Sequence, residues 1–205
     1  ADRDFSGAAL NTETLVEFSV RAPDPLSVLT YNPADASAEA PRDMPITLWF
    51  SEGIEALALD PNGDCVLSVE EQQNGSALRV LDVDSGANIA GILEISTSTG
   101  AARSCNNSDD QQGADHIGDD TLVLFTPTQA DMDGQVRDLW RYSQAVSVRL
   151  FESLGSDRQT TITGAPQGIL ADDVHFTFRA EDPPALLVTV NVSQNAQNIS
   201  RDQIV

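Results

Sequence analysis

The chain has 205 residues and a formal net charge of −21, from 32 acidic residues against 11 basic ones, all of them arginine. This charge makes nucleic acid and anionic membrane surfaces poor partners, because most faces of the protein would repel phosphate. Hydrophobic residues make up 40% of the chain, which is enough for a core, and no apolar run is long enough to span a membrane. The acidity is typical of a solvated surface and also favours divalent cations.

The first predicted strand ends in a pattern that returns near the end of the chain. The run from Phe18 to Pro25 reads F-S-V-R-A-P-D-P, and the run from Phe176 to Pro183 reads F-T-F-R-A-E-D-P. The correspondence continues into the next residues, where 26–32 matches 185–191. Self-similarity at a fixed distance is the signature of tandem repeats.

The repeat predicts how the chain is divided. Residues 24–181 form one complete unit, residues 1–23 are the tail strand of a preceding unit or a donor strand, and residues 182–205 open a following unit. The terminal strands would leave unpaired backbone edges that can dock onto a neighbour. Their apolar residues are the predicted interaction residues, namely Phe18, Val20, Leu186, Val188 and Val190.

Between these ends, short β-branched or aromatic segments bounded by Gly, Pro, Asn and Asp predict an all-β sandwich. In the last of them, Val174, Phe176 and Phe178 share one face, and His175 is expected on the exposed face. One segment, residues 132–144, has apolar spacing that predicts a short helix or an irregular turn. The predicted strands are 14–21, 46–50, 77–83, 89–96, 121–125, 145–151, 174–180 and 186–192.

The residues from Asp60 to Glu71 match the spacing of a calcium loop. Asp60, Asn62 and Asp64 fall at its positions 1, 3 and 5, and Glu71 falls at position 12. Cys65 stands where such a loop needs glycine, and no convincing helix is predicted on either side. A metal-free Pro-Asn-Gly-Asp turn explains the same residues, so both interpretations stay open. Calcium is the only cofactor that the sequence brings forward.

Cys65 and Cys105 are the only cysteines. In an exported protein an even number predicts one disulfide, here closing a loop of about 40 residues. Two free thiols in a cytosolic protein are the alternative.

Motifs at the two ends of the complete unit carry a family resemblance. The run from Tyr31 to Glu52 includes P-I-T-L-W-F-S-E, and the segments 124–127 and 176–178 read L-F-T-P and F-T-F. Together they resemble the bacterial Ig-like domains of S-layer and other surface proteins. The resemblance covers nearly all of residues 24–181. It implies an Ig-like antiparallel β-sandwich that acts as a spacer or assembly module, while the enlarged insertion around 60–120 has no counterpart in the family.

The aromatic residues are also compatible with a platform on which sugars stack. Trp49 is expected in the core, whereas Trp140 and Tyr142 lie next to Arg137 and Arg141 in the sequence and are expected to be partly exposed, with Tyr31 as a further candidate. Asn-x-Ser/Thr sequons mark potential glycan acceptors at Asn74, Asn106, Asn191 and Asn198.

The remaining acidic groups are typical of loops. Residues 131–134 resemble a turn, and a second acidic segment reads as a solvated loop with cation binding as the alternative. That segment contains Asp109, Asp110, Asp115, His116, Asp119 and Asp120. No nucleophile elbow, zinc-protease pair or phosphate loop occurs, so we do not expect an enzyme.

We therefore predict a structural or assembly module of an extracellular cell-surface protein, such as an adhesin stalk, an S-layer component or a filament subunit. Its partners would be other copies or neighbouring Ig-like repeats, linked head to tail through the terminal strands. The alternative is a calcium- or carbohydrate-binding module of a secreted protein, with glycans as partners.

Overall fold

The computed structural model describes residues 25–97, 100, 102, 103, 105, 121–131, 133–154 and 170–185. Strands are the main regular structure among these residues, with two short helices between β3 and β5. The elements in chain order are β1 (Val28–Asn32), β2 (Ser37–Ala40), β3 (Ile46–Phe50), α1 (Ala56–Leu59), β4 (Val66–Leu67), α2 (Val69–Asn74), β5 (Leu78–Asp82), β6 (Gly91–Thr97), β7 (Ala102–Arg103), β8 (Thr121–Pro127), β9 (Gln129–Ala130), β10 (Val136–Arg137), β11 (Ala145–Leu150) and β12 (Val174–Ala180).

The strands form two main sheets and a small hairpin. One sheet has the order β1-β3-β8-β6-β4, with β7 added on β6, and all of its pairs are antiparallel. The other has the order β2-β12-β11-β5, in which only β2 runs parallel to its neighbour. Strands β9 and β10 pair with each other.

Alternation along each strand decides which side chains enter the core. Phe176 and Phe178 of β12 are buried, whereas His175, which precedes them on the opposite face, is exposed, as the sequence predicted. In β3 the buried residues are Ile46, Leu48 and Phe50. Each main sheet therefore turns one apolar face inward.

The two sheets pack face to face around aromatic side chains. Trp140 is fully buried, with its ring 6.3 Å from Phe125 of one sheet and 5.2 Å from Phe178 of the other. Tyr31 of β1 stacks on Phe176 of the opposite sheet at 4.2 Å. These contacts confirm the predicted all-β sandwich.

The described chain begins and finishes at opposite ends of this sandwich. Leu26 forms a parallel bridge with Leu170, which lies just before the start of β12. After β12 the backbone N–H of Glu181 donates to the carbonyl of Ala40. The seven residues of β12 separate the two ends by about 20 Å. We call them the Leu26 end and the Ala180 end.

The helix considered for residues 132–144 is wrong among the residues described there. Strand β10 and two turns occupy this segment, and Gly134 takes a left-handed conformation with φ 76°. Its N–H donates to the carbonyl of Asp131 at 2.8 Å, which closes the β9–β10 hairpin as the predicted turn. Val136 is 67% exposed, so the apolar spacing marked no single buried face.

Candidate functional site

The Asp60 loop, residues 60–71, connects α1 to α2 along the edge of the larger sheet. Asp60 caps the end of α1, since its N–H donates to the carbonyl of Ala56 at 3.0 Å. Within the loop, the two residues of β4 pair with Gly91 and Ile92 of β6. The loop is thus fixed at both ends and in its middle. The expectation of no helix beside it is wrong, because α2 begins inside the loop.

Two left-handed residues give the loop its tight course. Gly63 has φ 72° and Cys65 has φ 64°. Cys65 therefore adopts the conformation for which glycine is favoured, at a cost of about 1–2 kcal/mol. Side chains support the same turn, because Asn62 Oδ1 accepts from the N–H of Asp64 at 2.9 Å and Asp64 Oδ1 accepts from the N–H of Val66 at 2.8 Å.

Cys65 and Cys105 form a disulfide with a Cα–Cα distance of 5.4 Å, as the sequence predicted. Cys105 is fully buried, so the bond joins the loop to the interior of the sandwich. The two sulfur atoms and a carboxylate oxygen of Asp60 lie within 4.8 Å of one another. Because disulfide sulfurs have no thiolate to offer a metal, they form a wall beside Asp60 and do not act as ligands.

The carboxylate of Asp60 is fully buried and only half satisfied. Its Oδ2 accepts from the N–H of Cys65 at 2.6 Å, whereas no hydrogen-bond donor among the described residues reaches Oδ1. Burial raises the pKa of Asp60, and the neighbouring carboxylates of Glu71 and Asp64 raise it further, against the lowering effect of the N–H groups of Cys65 and Gly63. The loop therefore holds a carboxylate in a place that disfavours its charge.

Glu71 has a structural task of its own. Ser68 is the N-cap of α2, and its hydroxyl accepts from the N–H of Glu71 while Glu71 Oε2 accepts from the N–H of Ser68 at 2.9 Å. This capping box was readable from the Ser68-x-x-Glu71 spacing. Burial alone would raise the pKa of Glu71, but hydrogen bonds from Ser68 and Asn62 outweigh it and hold the pKa below its ordinary value.

The structure brings all four predicted metal residues into this one loop. Asn62 Nδ2 donates to Asp64 Oδ2 at 3.2 Å, and the N–H of Asn62 donates to Glu71 Oε1 at 3.3 Å. The side-chain oxygens of Asp60, Asp64 and Glu71 do not all lie within 4.8 Å of one another, so the loop does not hold the three carboxylates at the spacing that one cation needs.

The aromatic residues do not assemble into the platform that the sequence left open. Trp140 is a core residue whose Nε1 donates to the carbonyl of Met44 at 2.7 Å, so its expected partial exposure is wrong. Trp49 is half-buried on the outer face of β3, so its expected core position is wrong too. Tyr142 is half-buried beneath Arg42, whose guanidinium lies 3.7 Å above the ring.

A polar groove of about 550 Å³ opens at the Ala180 end. It is lined by Asp82, Asp131, Arg141 and Gln144, among others. These groups bind one another, since Arg141 and Gln144 both donate to Asp82 Oδ2 and Asp131 accepts from Arg42 outside the lining. Asp82, Asp131 and Gln144 are thus paired within the protein, whereas Arg141 Nε is buried without a hydrogen-bond partner among the described residues.

Several predicted residues lie outside the described part of the chain. They include every interaction residue of the terminal strands and the whole second acidic segment, which are Phe18, Val20, Leu186, Val188, Val190, Asp109, Asp110, Asp115, His116, Asp119 and Asp120. Of the sequons, Asn74 is described and is exposed at the last residue of α2. No helix in the described ranges is long and apolar enough to cross a membrane.

The sequence matches no protein-family model and no curated protein. The resemblance of residues 24–181 to bacterial Ig-like domains therefore stays a prediction.

Proposed function

We propose that this chain is a structural module of an extracellular cell-surface protein and joins neighbouring units head to tail. One observation carries the proposal. The described chain begins at the Leu26 end of the sandwich and leaves it at the Ala180 end, so consecutive units would follow one another along the long direction of the strands. This is the course that a stalk, an S-layer component or a filament needs.

Hydrogen bonds at the Ala180 end hold the chain in a fixed direction where it leaves the sandwich. The N–H of Ser143 donates to the carbonyl of Glu181, and the hydroxyl of Ser143 donates to Asp182 Oδ1 at 2.5 Å. The N–H of Ala180 also donates to the carbonyl of Gln144, so three successive residues, 180–182, are held against the residues that precede β11. Asp182 is followed by two prolines, which stiffen the chain as it leaves the sandwich.

The sheet edges offer a place for a neighbouring strand. Among the described residues, β1 pairs along its length only with β3, and no described strand covers its other edge. Its sequence, V-L-T-Y-N, carries no charge that would protect an edge, and Leu29 is 57% exposed. By contrast β5 is covered, since the N–H of Ile89 and the side chain of Gln72 both bind Val80.

The partner strand that we propose for this edge is residues 186–192 of another copy. They alternate apolar residues in the sequence L-L-V-T-V-N-V and directly follow the exit from the Ala180 end. Strand β1 begins at the Leu26 end of the sandwich. A chain that leaves the Ala180 end of one unit would therefore meet β1 at the Leu26 end of the next unit. Backbone hydrogen bonds would then give the affinity, as in strand addition. A disulfide-linked sandwich is compatible with an extracellular location.

Sedimentation velocity of the full chain over a wide concentration range tests the proposal. We expect species larger than the monomer that grow with concentration. Val188→Asp should abolish them, because a charge at the centre of the docking strand opposes its burial. Leu29→Lys on the accepting edge should weaken them. Val136→Asp is the matched control, since Val136 is 67% exposed in the β9–β10 hairpin, which is not part of the sheet that contains β1.

Two outcomes would contradict assembly through the terminal strands. One is a chain that stays monomeric at the highest concentration reached. The other is assembly that Val188→Asp and Val136→Asp reduce equally.

A further inference from the structure

The outward side chains of the larger sheet form a surface that is nearly free of charge. Strands β1, β3, β8, β6 and β4 lie side by side, and we call the surface made by their outward side chains the outer sheet face. Glu94 is the one charged residue among the outward positions of these five strands, in a chain with 32 acidic and 11 basic residues. Its polar uncharged members are threonine, serine and asparagine.

The apolar members of the outer sheet face follow one another across four strands. Trp49 of β3 is the register partner of Leu122 in β8, and Leu124 lies on the same side two residues further along β8. On the next strands, Ile92 of β6 is the register partner of Val66 in β4. Ile92 is 38% exposed and Val66 is 45% exposed, whereas the other three are half-buried. These five residues form an apolar stripe that runs diagonally over the sheet.

Strand β8 shows that this stripe departs from the usual pattern. Its sequence is T-L-V-L-F-T-P, in which Val123 and Phe125 enter the core while Leu122 and Leu124 point outward. A strand with one face in water carries polar residues on that face, and an apolar run without alternation is typical of a strand covered on both faces. The centre of the larger sheet therefore has the composition of a surface that is covered.

We propose that a second copy of this chain covers the outer sheet face, so that two sandwiches pair face to face through their apolar stripes. Charge favours this occupant at this place. A net charge of −21 makes two copies repel each other over most of their surfaces, so contact is least costly where charge is sparse. The pair uses the same surface on both copies and therefore closes at two.

The dimensions of the outer sheet face set the strength of the pair. With strands about 4.8 Å apart and about 3.4 Å per residue, the face covers roughly 400 Å². Specific interfaces at the small end bury less than about 1,200 Å² in total, so we expect a dissociation constant in the range of about 1–100 µM. Stacked sheets lie about 10 Å apart, which lets the stripes interdigitate as the inner faces of the sandwich do.

This contact is distinct from the edge contact of head-to-tail assembly. A strand added beside β1 extends the larger sheet in its own plane and leaves the outer sheet face free. Head-to-tail assembly therefore produces a series that grows with concentration, whereas face-to-face pairing produces a dimer of fixed mass. Neither contact depends on the other.

Sedimentation velocity of the full chain carrying Val188→Asp separates the two contacts. This variant should lose the growing series and retain a dimer that dissociates on dilution. Adding Ile92→Glu should weaken the dimer by at least about tenfold, because it places a second charge on the apolar stripe. Val83→Glu is the matched control, since Val83 is 52% exposed directly after β5 of the smaller sheet, and it should leave the dimer unchanged. Thermal unfolding checks that both variants stay folded.

Glu94→Gln tests the same face in the opposite direction. It removes the one outward carboxylate of these strands without changing the size of the side chain, so it should tighten the dimer by about fivefold or more. A loss of folding cannot mimic this gain.

Three results would overturn the pairing. The Val188→Asp chain could remain monomeric at the highest concentration reached, which would mean that another part of the chain or a different protein covers the face. Ile92→Glu and Val83→Glu could weaken the dimer equally, which would place the contact elsewhere. Glu94→Gln could leave the dissociation constant unchanged, which would contradict a pair that buries this carboxylate. Growth of the wild type beyond a dimer remains the separate test of head-to-tail assembly.

Discussion

Arg42 and Asp131 form an ion pair of 2.8 Å in which both side chains are about one-tenth exposed. The pair fastens the β2–β3 connection to the β9–β10 hairpin. Arg42 also donates from Nε to the carbonyl of Trp140 at 2.6 Å and stacks over Tyr142. One guanidinium thus fixes the segment that carries the central tryptophan of the core.

Arg42→Ala should lower the free energy of unfolding by about 1–3 kcal/mol, because it removes the buried hydrogen bond to the carbonyl of Trp140 and one of the two arginines that pair with Asp131. Chemical denaturation measures this loss. The matched control is Arg137→Ala, which removes a 42% exposed partner of the same Asp131 and should cost no more than about 1 kcal/mol. Equal losses in the two variants would show that Arg42 acts only as a surface charge.

Gly91→Ala should destabilise the sandwich although it adds one methyl group. The new Cβ would clash with the ring of Phe125 and with the backbone carbonyl of Thr126, and the carbonyl belongs to a strand that cannot move independently. We expect a loss of about 1–3 kcal/mol in urea unfolding. At Gly75 the φ of 177° is open to any residue and a Cβ would lie 3.7 Å from Pro61, so Gly75→Ala should change stability by no more than about 0.5 kcal/mol.

Acid should weaken the fold in part through Asp82. Burial alone would raise the pKa of Asp82, but hydrogen bonds from Ser85 and Gln144 and the charge of Arg141 outweigh it and hold the pKa below its ordinary value of 3.8. A depressed carboxyl pKa contributes stability above the unfolded value, and that contribution is lost as the pH falls through the folded value. The stability contributed by Asp82 is therefore lost below about pH 4.

The measurement is the urea midpoint between about pH 7 and pH 2. Asp82→Asn should flatten the fall of the midpoint below pH 4, whatever its effect at neutral pH, while the exposed Asp84→Asn should leave the slope as in the wild type. Some slope should remain in Asp82→Asn, since hydrogen bonds also lower the pKa values of Glu71 and Asp173. An unchanged slope would mean that protonation of Asp82 does not contribute to the pH dependence of stability.

The alternation of apolar residues predicted most of the long strands. Strands β3 and β12 occupy the predicted residues, and β5, β6, β8 and β11 differ from the prediction by a few residues at their ends. Cysteine counting predicted the disulfide. These features depend on a residue and its near neighbours, because the side-chain period of a strand and the pairing of two available cysteines need no knowledge of the rest of the chain.

Some misses had a local signal. In β3, Trp49 and Thr47 lie on the face opposite the buried Leu48 and Phe50. Strand alternation therefore already predicted an outer position for Trp49. The capping box of Ser68 and Glu71 marked the start of α2. In both cases another interpretation of the same residues, as core aromatic and as metal loop, obscured the local pattern.

The sequence by itself determined an acidic all-β protein with one disulfide and an oxygen-rich loop of calcium spacing. Only the tertiary structure decided that Trp140 fills the space between the sheets, that Arg42 closes over Tyr142, and that the Asp60 carboxylate is buried with one oxygen unsatisfied. Burial is created by segments distant in the chain, here the disulfide partner Cys105 and strands from both sheets. A periodic pattern records which side chains share a face, but the elements that cover that face are set by long-range packing.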